Sequence, residues 1–230
     1  MIPVEEPGYE GRSRPMIRVM IVEDHELVRD GLRGILDAAE GIEVVAEAAS
    51  GEEAIRLNRE RQPDIVLMDL GLPGLSGFEA SERILHAREQ VRIIALTAHA
   101  RPPWTTRMLM LGAAGYLTKA CDAEELVMAI RRVHRGERYF GTAIAADLVV
   151  SLLPGNEGSP FERLSTRELE VTMMLLSGLK PGEIARRLNV SVKTVSSHKA
   201  NVFEKLGVQS EVALLRAAIR HGLVDPDLED

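Results

Sequence analysis

The stretch Ile65-Val66-Leu67-Met68-Asp69-Leu70-Gly71-Leu72-Pro73-Gly74 carries four apolar residues into an acid and then into turn-forming residues. Such a short unbroken apolar run predicts a strand buried on both faces, as in a parallel sheet, with Asp69 lifted out at its carboxyl end. Other runs end the same way: 17–22 on Glu23 and Asp24, 91–96 on Thr97, and 115–118 on Lys119. Five strand-like runs, with 42–48 completing the set, alternate with helix-like segments at 25–37, 50–61, 76–87, 104–111 and 122–133. This alternation predicts an α/β domain, a parallel sheet covered by helices on both faces. Ligands bind such sheets outside the carboxyl ends of the strands, where strand order reverses. Two acids, a third acid, a hydroxyl and an amine are therefore expected at one edge.

At 230 residues the chain is long enough for two cores. A single cysteine, Cys121, excludes an internal disulfide, and no stretch approaches the roughly 20 apolar residues of a membrane helix; a cytoplasmic protein with no membrane partner is expected. The breaker-rich run 154–160 marks a linker. The expected domains are a tail at 1–15 without packed structure, an α/β domain at 16–136, a linker at 137–160 with a short helix over 143–153, a helical domain at 161–223, and an acidic tail at 224–230. Met16 stands as an alternative first residue, because the first strand begins beside it.

The net charge of -7 is unevenly placed. Residues 161–222 hold ten basic and six acidic residues, whereas 1–160 carry -7 and 223–230 carry -4. Basic charge thus gathers in the C-terminal region, as contact with phosphates requires. Ser165-Thr166-Arg167-Glu168 there is a capping box opening a helix that stops near Gly178; Ser50 with Glu53 and Asp122 with Glu125 are read as boxes in the first domain. Helical runs at 183–188, 192–206 and 210–221 follow, the first two joined by the tight turn Asn189-Val190-Ser191, which predicts a helix-turn-helix among four helices.

Glu23, Asp24 and Asp69 would set three like charges in one crevice, which is unfavourable without a cation. Oxygen ligands suit Mg²⁺, with the Gly71 carbonyl as a further donor. A carboxylate beside Mg²⁺ and a lysine can attack a phosphoryl group, the cations stabilising the equatorial oxygens. Asp69 is placed as that nucleophile, with Thr97 and Lys119 reaching phosphoryl oxygens. A Mg²⁺-dependent phosphatase or phosphotransferase would need a second acid for the leaving group, commonly two residues on, and position 71 is glycine. A binding module with a vestigial acidic site is the third reading, opposed by the completeness of the set.

The segments Val22-Glu23-Asp24-His25, Met68-Asp69-Leu70-Gly71-Leu72-Pro73-Gly74, Leu96-Thr97-Ala98 and Gly112-Ala113-Ala114-Gly115-Tyr116-Leu117-Thr118-Lys119 resemble the receiver domain of two-component response regulators over residues 17 to about 136. The resemblance implies a flavodoxin-like (βα)5 fold, with Asp69 taking a phosphoryl group from the phosphohistidine of a sensor histidine kinase. It also implies Mg²⁺ on Glu23, Asp24, Asp69 and the Gly71 carbonyl, with Thr97 and Lys119 sensing the phosphoryl group. Tyr116 matches the switch aromatic, while a half-buried strand residue is an equal reading of it. Ala120 stands where many receivers have proline, so no cis-peptide argument carries over.

In the helical half, Val195, Val202 and Leu206 recur at helical spacing and are expected to face the domain's own core. That leaves Lys193, Ser196, Ser197, Ala200 and Asn201 on a small, polar face able to enter a major groove. Leu164-Ser165-Thr166-Arg167-Glu168-Leu169-Glu170, Val190-Ser191-Val192-Lys193-Thr194-Val195-Ser196-Ser197-His198 and Lys205-Leu206-Gly207-Val208 look like the LuxR-type DNA-binding module over 161–222. The resemblance implies that 192–206 is the recognition helix on double-stranded DNA, with Thr194, Lys199 and Lys205 on phosphates. His198 has two readings, a backbone contact and packing beside Val195 and Val202.

Together the halves are similar to the NarL/FixJ family of response regulators. Segments 159–165 and 218–223 look most like its GacA-type global activator subgroup. This implies a hybrid sensor kinase as donor and promoters of small regulatory RNAs as targets. Separately, a phosphoryl group on Asp69 is expected to shift an existing equilibrium, free the second domain from the first and favour a homodimer. Trp104, near the start of the fourth helix, reads either as an exposed patch at a dimer interface or as simple core.

Overall fold

A computed structural model describes residues 16–97, 104–142, 144 and 159–224. The tail expected at 1–15, most of the linker with its helix over 143–153, and the acidic tail beyond 224 lie outside the described residues.

The first domain alternates β1 (Ile17–Val22), α1 (Glu26–Asp37), β2 (Ile42–Ala48), α2 (Gly51–Arg61), β3 (Ile65–Asp69), α3 (Gly77–Ala87), β4 (Arg92–Thr97), α4 (Trp104–Leu111), β5 (Gly115–Thr118), α5 (Ala123–His134) and β6 (Tyr139–Phe140). The strands form one parallel sheet in the order β2-β1-β3-β4-β5-β6. Alternation along each strand divides the core between the faces. Met20, Val22, Val66, Met68, Ile93 and Ala95 pack with α2, α3 and α4 residues such as Leu57, Ile84 and Met108. Val19, Ile21, Ile65, Leu67, Ile94 and Leu96 pack with Leu36 of α1 and Leu126, Ile130 and Val133 of α5.

From β1 the chain runs outward to β2 and returns to β3 on the other side. The reversal point is therefore between the ends of β1 and β3, which carry Glu23-Asp24 and Asp69. Strand β6 was not expected: it lies within the stretch read as linker and pairs Tyr139 with Gly115 and Phe140 with Tyr116. Buried Ile144 joins the same core, so the first domain continues past residue 136.

The helical domain opens with a 3-10 turn at Pro160–Arg163, followed by α6 (Thr166–Leu176), α7 (Pro181–Arg187), α8 (Val192–Leu206) and α9 (Glu211–Arg220). Phe161, Leu169, Ile184, Val195, Val202, Leu214 and Ala218 form its core. Pro181 supplies the preset backbone angle of a helix start, and Asn189 takes a left-handed φ of 51° in the turn before α8. Of the three expected capping boxes only Ser165–Glu168 closes in both directions. Ser50 accepts from the Glu53 amide, but the Glu53 side chain accepts from Ala49; Glu125 accepts from the Tyr139 hydroxyl instead of the cap.

Candidate functional site

The five expected residues of the first domain meet at the sheet's carboxyl edge. Asp69, at 4% exposure, has its Oδ1 hydrogen-bonded by the Gly71 amide at 3.0 Å. Register places Thr97 beside Thr118, and the Lys119 amide donates to the Thr97 carbonyl at 2.7 Å. Lys119 Nζ then lies 2.6 Å from Glu23 Oε2 and 3.0 Å from Asp69 Oδ2, bridging acids from the strands on either side of the reversal point. Glu23 is fully buried, and its backbone carbonyl accepts from Arg29 at 2.8 Å. Tyr116 is 1% exposed and shares a hydrogen bond with Thr97, so the half-buried reading of it does not hold.

Burial pushes the Asp69 carboxyl above its ordinary range, the charge of Glu23 adds to this, and the Gly71 amide and Lys119 oppose it. Lys119 is also raised: burial works against its charge, but the carboxylates of Glu23 and Asp69 outweigh that. Burial likewise raises the Tyr116 phenol and keeps it neutral. The site thus concentrates negative charge that one ammonium group only partly offsets. Glu23, Asp24 and His25 bring possible ligand atoms within 4.8 Å of one another, with the His25 ring nitrogen 3.1 Å from both Glu23 Oε1 and Asp24 Oδ1. His25 is a residue that the sequence reading did not single out for this site.

A cavity of about 310 Å³ lies over Asp69, walled by Asp69, Thr97 and Lys119 on one side and by Glu170, Met173 and Met174 of α6 on the other. Trp104 also lines it and is half-buried, packed against the cores of both domains, so it is a packing residue between them and not the exposed patch of its other reading. No sequence signal marked the α6 residues, because their relation to Asp69 exists only through domain packing.

On α8, Val195 and Val202 are buried, Lys193, Ser196, Ser197, Ala200 and Asn201 are exposed, and His198 is half-buried. The Ser196 and Ser197 hydroxyls donate to the carbonyls of Val192 and Lys193 one turn back, while Thr194 bonds the Ser191 cap. Two lysines expected on phosphates are engaged inside the domain: Lys199 Nζ is 2.5 Å from Glu211, and Lys205 Nζ is 2.6 Å from Glu168.

The second pair has a pH signature. Burial pushes the Glu168 carboxyl up, but Lys205 and the Ser165 amide and hydroxyl outweigh it and hold the group below its ordinary value of 4.5. A carboxyl lowered on folding adds stability above its unfolded pKa and loses it as pH falls through the folded value. Lys205→Met is expected to cost the helical domain about 1 kcal/mol at neutral pH, solvent at the lysine keeping the figure small. The difference from wild type should narrow below pH 4.5, as thermal unfolding across pH would show.

The comparisons agree with this architecture. The family model described as response regulator receiver domain matches residues 19–131, and that described as bacterial regulatory proteins, luxR family, matches 162–218. Response regulator UvrY of Escherichia coli K12 is 44% identical over 92% of this chain and 98% of its own length. Response regulator GacA of Pseudomonas aeruginosa is 41% identical over 91% of this chain and 99% of its own. Among solved structures, RcsB of Salmonella enterica serovar Typhimurium, bound to promoter rprA in the presence of phosphomimetic BeF3-, is 27% identical and covers 88% of this chain and 98% of that one at a TM-score of 0.64. A LuxR family response regulator from Aurantimonas is 41% identical over 59% of this chain and 97% of its own, at a TM-score of 0.57. With both halves matched in order and relatives aligned over nearly their whole length, the chain belongs to the two-component response regulators that join a receiver to a LuxR-type DNA-binding domain, in the group of UvrY and GacA.

Proposed function

We propose that Asp69 accepts a phosphoryl group from the phosphohistidine of a sensor histidine kinase, of hybrid type, and that the added charge governs how the helical domain binds promoter DNA. The observation that carries this reading is the Lys119 ammonium, 2.6 Å from Glu23 and 3.0 Å from Asp69 at the point of strand reversal. It sets a cation beside the nucleophile where phosphoryl charge would develop. Mg²⁺ fits the oxygen-rich donor set, with Glu23, Asp24, Asp69 and the Gly71 carbonyl holding it; when bound, it would neutralise charge on the transferring group. Thr97 and Lys119 would hold phosphoryl oxygens, and the hydrogen bond between Tyr116 and Thr97 ties the switch aromatic to that event.

The phosphatase reading is weakened by geometry as well as sequence. A side chain at position 71 would start only 3.7 Å from the Asp69 carboxylate oxygens, the place for a leaving-group acid, and glycine offers none.

Phosphorylation biases an existing equilibrium by the interactions that only one arrangement can make. In this reading it releases the helical domain and favours a homodimer whose two α8 helices meet half-sites about one DNA turn apart. Lys193, Ser196, Ser197 and Asn201 supply the outward face, with Thr194 and Lys199 at its phosphate edge. The half-buried His198 and the Glu168-paired Lys205 contribute mainly by packing and by fixing the helix. Lys193→Ala is expected to lower the slope of log affinity against log salt by about 0.9, without changing which promoters are preferred. No helix of the described residues is long and apolar enough to cross a membrane, and the reading places the protein in the cytoplasm. Fluorescence titration of promoter DNA with and without phosphodonor tests the whole proposal: equal affinity and equal oligomeric state in both forms would defeat it.

A further inference from the structure

The two domains are clasped at two places, and both clasps use backbone carbonyls. The Arg107 guanidinium on α4 reaches the carbonyl oxygens of Phe161 at 3.4 Å and Glu162 at 3.2 Å, and also that of Leu164, at the end of the 3-10 turn that opens the helical domain. Burial lowers this guanidinium's pKa, with the charges of Glu162 and Glu168 opposing. On the other side, Arg167 of α6 donates to the Gly74 carbonyl at 3.3 Å, and the Gly74 amide donates to the Arg187 carbonyl at 3.2 Å. Gly74 belongs to the loop that leaves Asp69, and Trp104, on the same helix as Arg107, packs against the cores of both domains.

What the clasped arrangement covers is the input side. Asp69 and Thr97 are nearly inaccessible, and α6 forms the far wall of their cavity. The output side stays open: Lys193, Ser196, Ser197 and Asn201 face solvent, as do Val212, Leu215 and Ile219 on α9.

We propose that the helical domain is a lid over the phosphoacceptor, held shut by Arg107 and by the Arg167–Gly74 contact, that excludes protein-borne phosphohistidine while admitting small phosphodonors to the cavity. This deepens the reading of Asp69 as phosphoacceptor and rests on it. A histidine on a folded domain must bring its backbone to Asp69 and meets α6 first; a compact donor does not. A donor that needs the open form reacts in proportion to the open fraction. By linkage, whatever draws the helical domain away also raises reactivity toward the kinase.

The test uses the full-length chain, its Arg107→Ala and Arg107→Lys variants, Mg²⁺, and two donors: phosphoramidate and phosphohistidine carried on an isolated phosphotransfer domain. In each reaction the phosphorus–nitrogen bond breaks as an Asp69 oxygen bonds phosphorus, and the electron pair leaves on nitrogen, which takes a proton from water. Arg107→Ala is expected to react about tenfold faster than wild type with the protein donor and within about twofold of it with phosphoramidate. Arg107→Lys, which keeps the charge but not the fork of donors, should fall between. Small-angle scattering should show Arg107→Ala more extended than wild type. The lid is overturned if both donors speed up equally, if neither does, or if Arg107→Ala stays as compact as wild type. If wild type gains no phosphoryl group at Asp69 even from phosphoramidate, the phosphoacceptor reading itself has failed.

Discussion

Replacing Asp69 by alanine is expected to abolish phosphodonor-dependent tightening on promoter DNA while leaving basal DNA binding unchanged. The reasoning is local. Removing the carboxylate takes away the oxygen pair to which the Gly71 amide and Lys119 are both directed. Thr97 and Lys119 stay in place, because β4–β5 pairing and the amide bond from Lys119 to the Thr97 carbonyl position them. Lys119 keeps Glu23 as partner. The site therefore survives as a scaffold without a nucleophile. Coupling energies between linked sites are typically 1–3 kcal/mol, so a wild-type gain of about 5–150-fold should fall to none. Titration of fluorescent promoter DNA, with and without phosphoramidate, reads the effect. A variant that still responds to the donor would place the acceptor elsewhere.

The largest stability effect is expected from Gly77→Ala. A Cβ at this helix start would sit 1.9 Å from the Asp69 carbonyl oxygen and 2.8 Å from the Leu70 Cα. Both neighbours are backbone and cannot rotate aside, and both belong to the turn that presents Asp69. Relief requires either α3 or the end of β3 to move, and β3 is buried and paired on both edges. A cost of about 3 kcal/mol or more follows, a fall in Tm on the order of 10 °C for the receiver. The transition of the helical domain should change little. Gly31→Ala is the internal control: it lies inside α1, nothing would come within 4 Å of its Cβ, and replacing it should stabilise by roughly 0.5–1 kcal/mol. Differential scanning calorimetry distinguishes the two, and equal transitions for both variants would contradict the close approach at Gly77.

The sheet and its acidic edge were legible because each depends on local patterns. Runs such as Ile65–Met68 are too short and too apolar for anything but buried strands, and the residue ending each run must emerge at the same edge of a parallel sheet. Strand β6 left no such trace: Tyr139 and Phe140 are two residues, too few to show a period, and only pairing with Gly115 and Tyr116 makes them a strand. The capping boxes show the same limit. Ser50–Glu53 and Asp122–Glu125 carry the right residues at the right spacing, yet the distant Tyr139 hydroxyl takes Glu125. The roles of Lys205 and Arg107 were hidden for a related reason. One is paired with a glutamate 37 positions away, and the other binds backbone carbonyls, which every residue has and no sequence marks.

Mapping the phosphoryl group by peptide mass spectrometry tests the central claim most directly. The intact chain is incubated with Mg²⁺ and phosphoramidate, the acyl phosphate is trapped by reduction, and the peptide carrying residues 65–76 is sequenced. A single modification at Asp69, absent when Mg²⁺ is chelated, is the expected result. An unmodified Asp69, or a modification at another residue of equal extent, would contradict it.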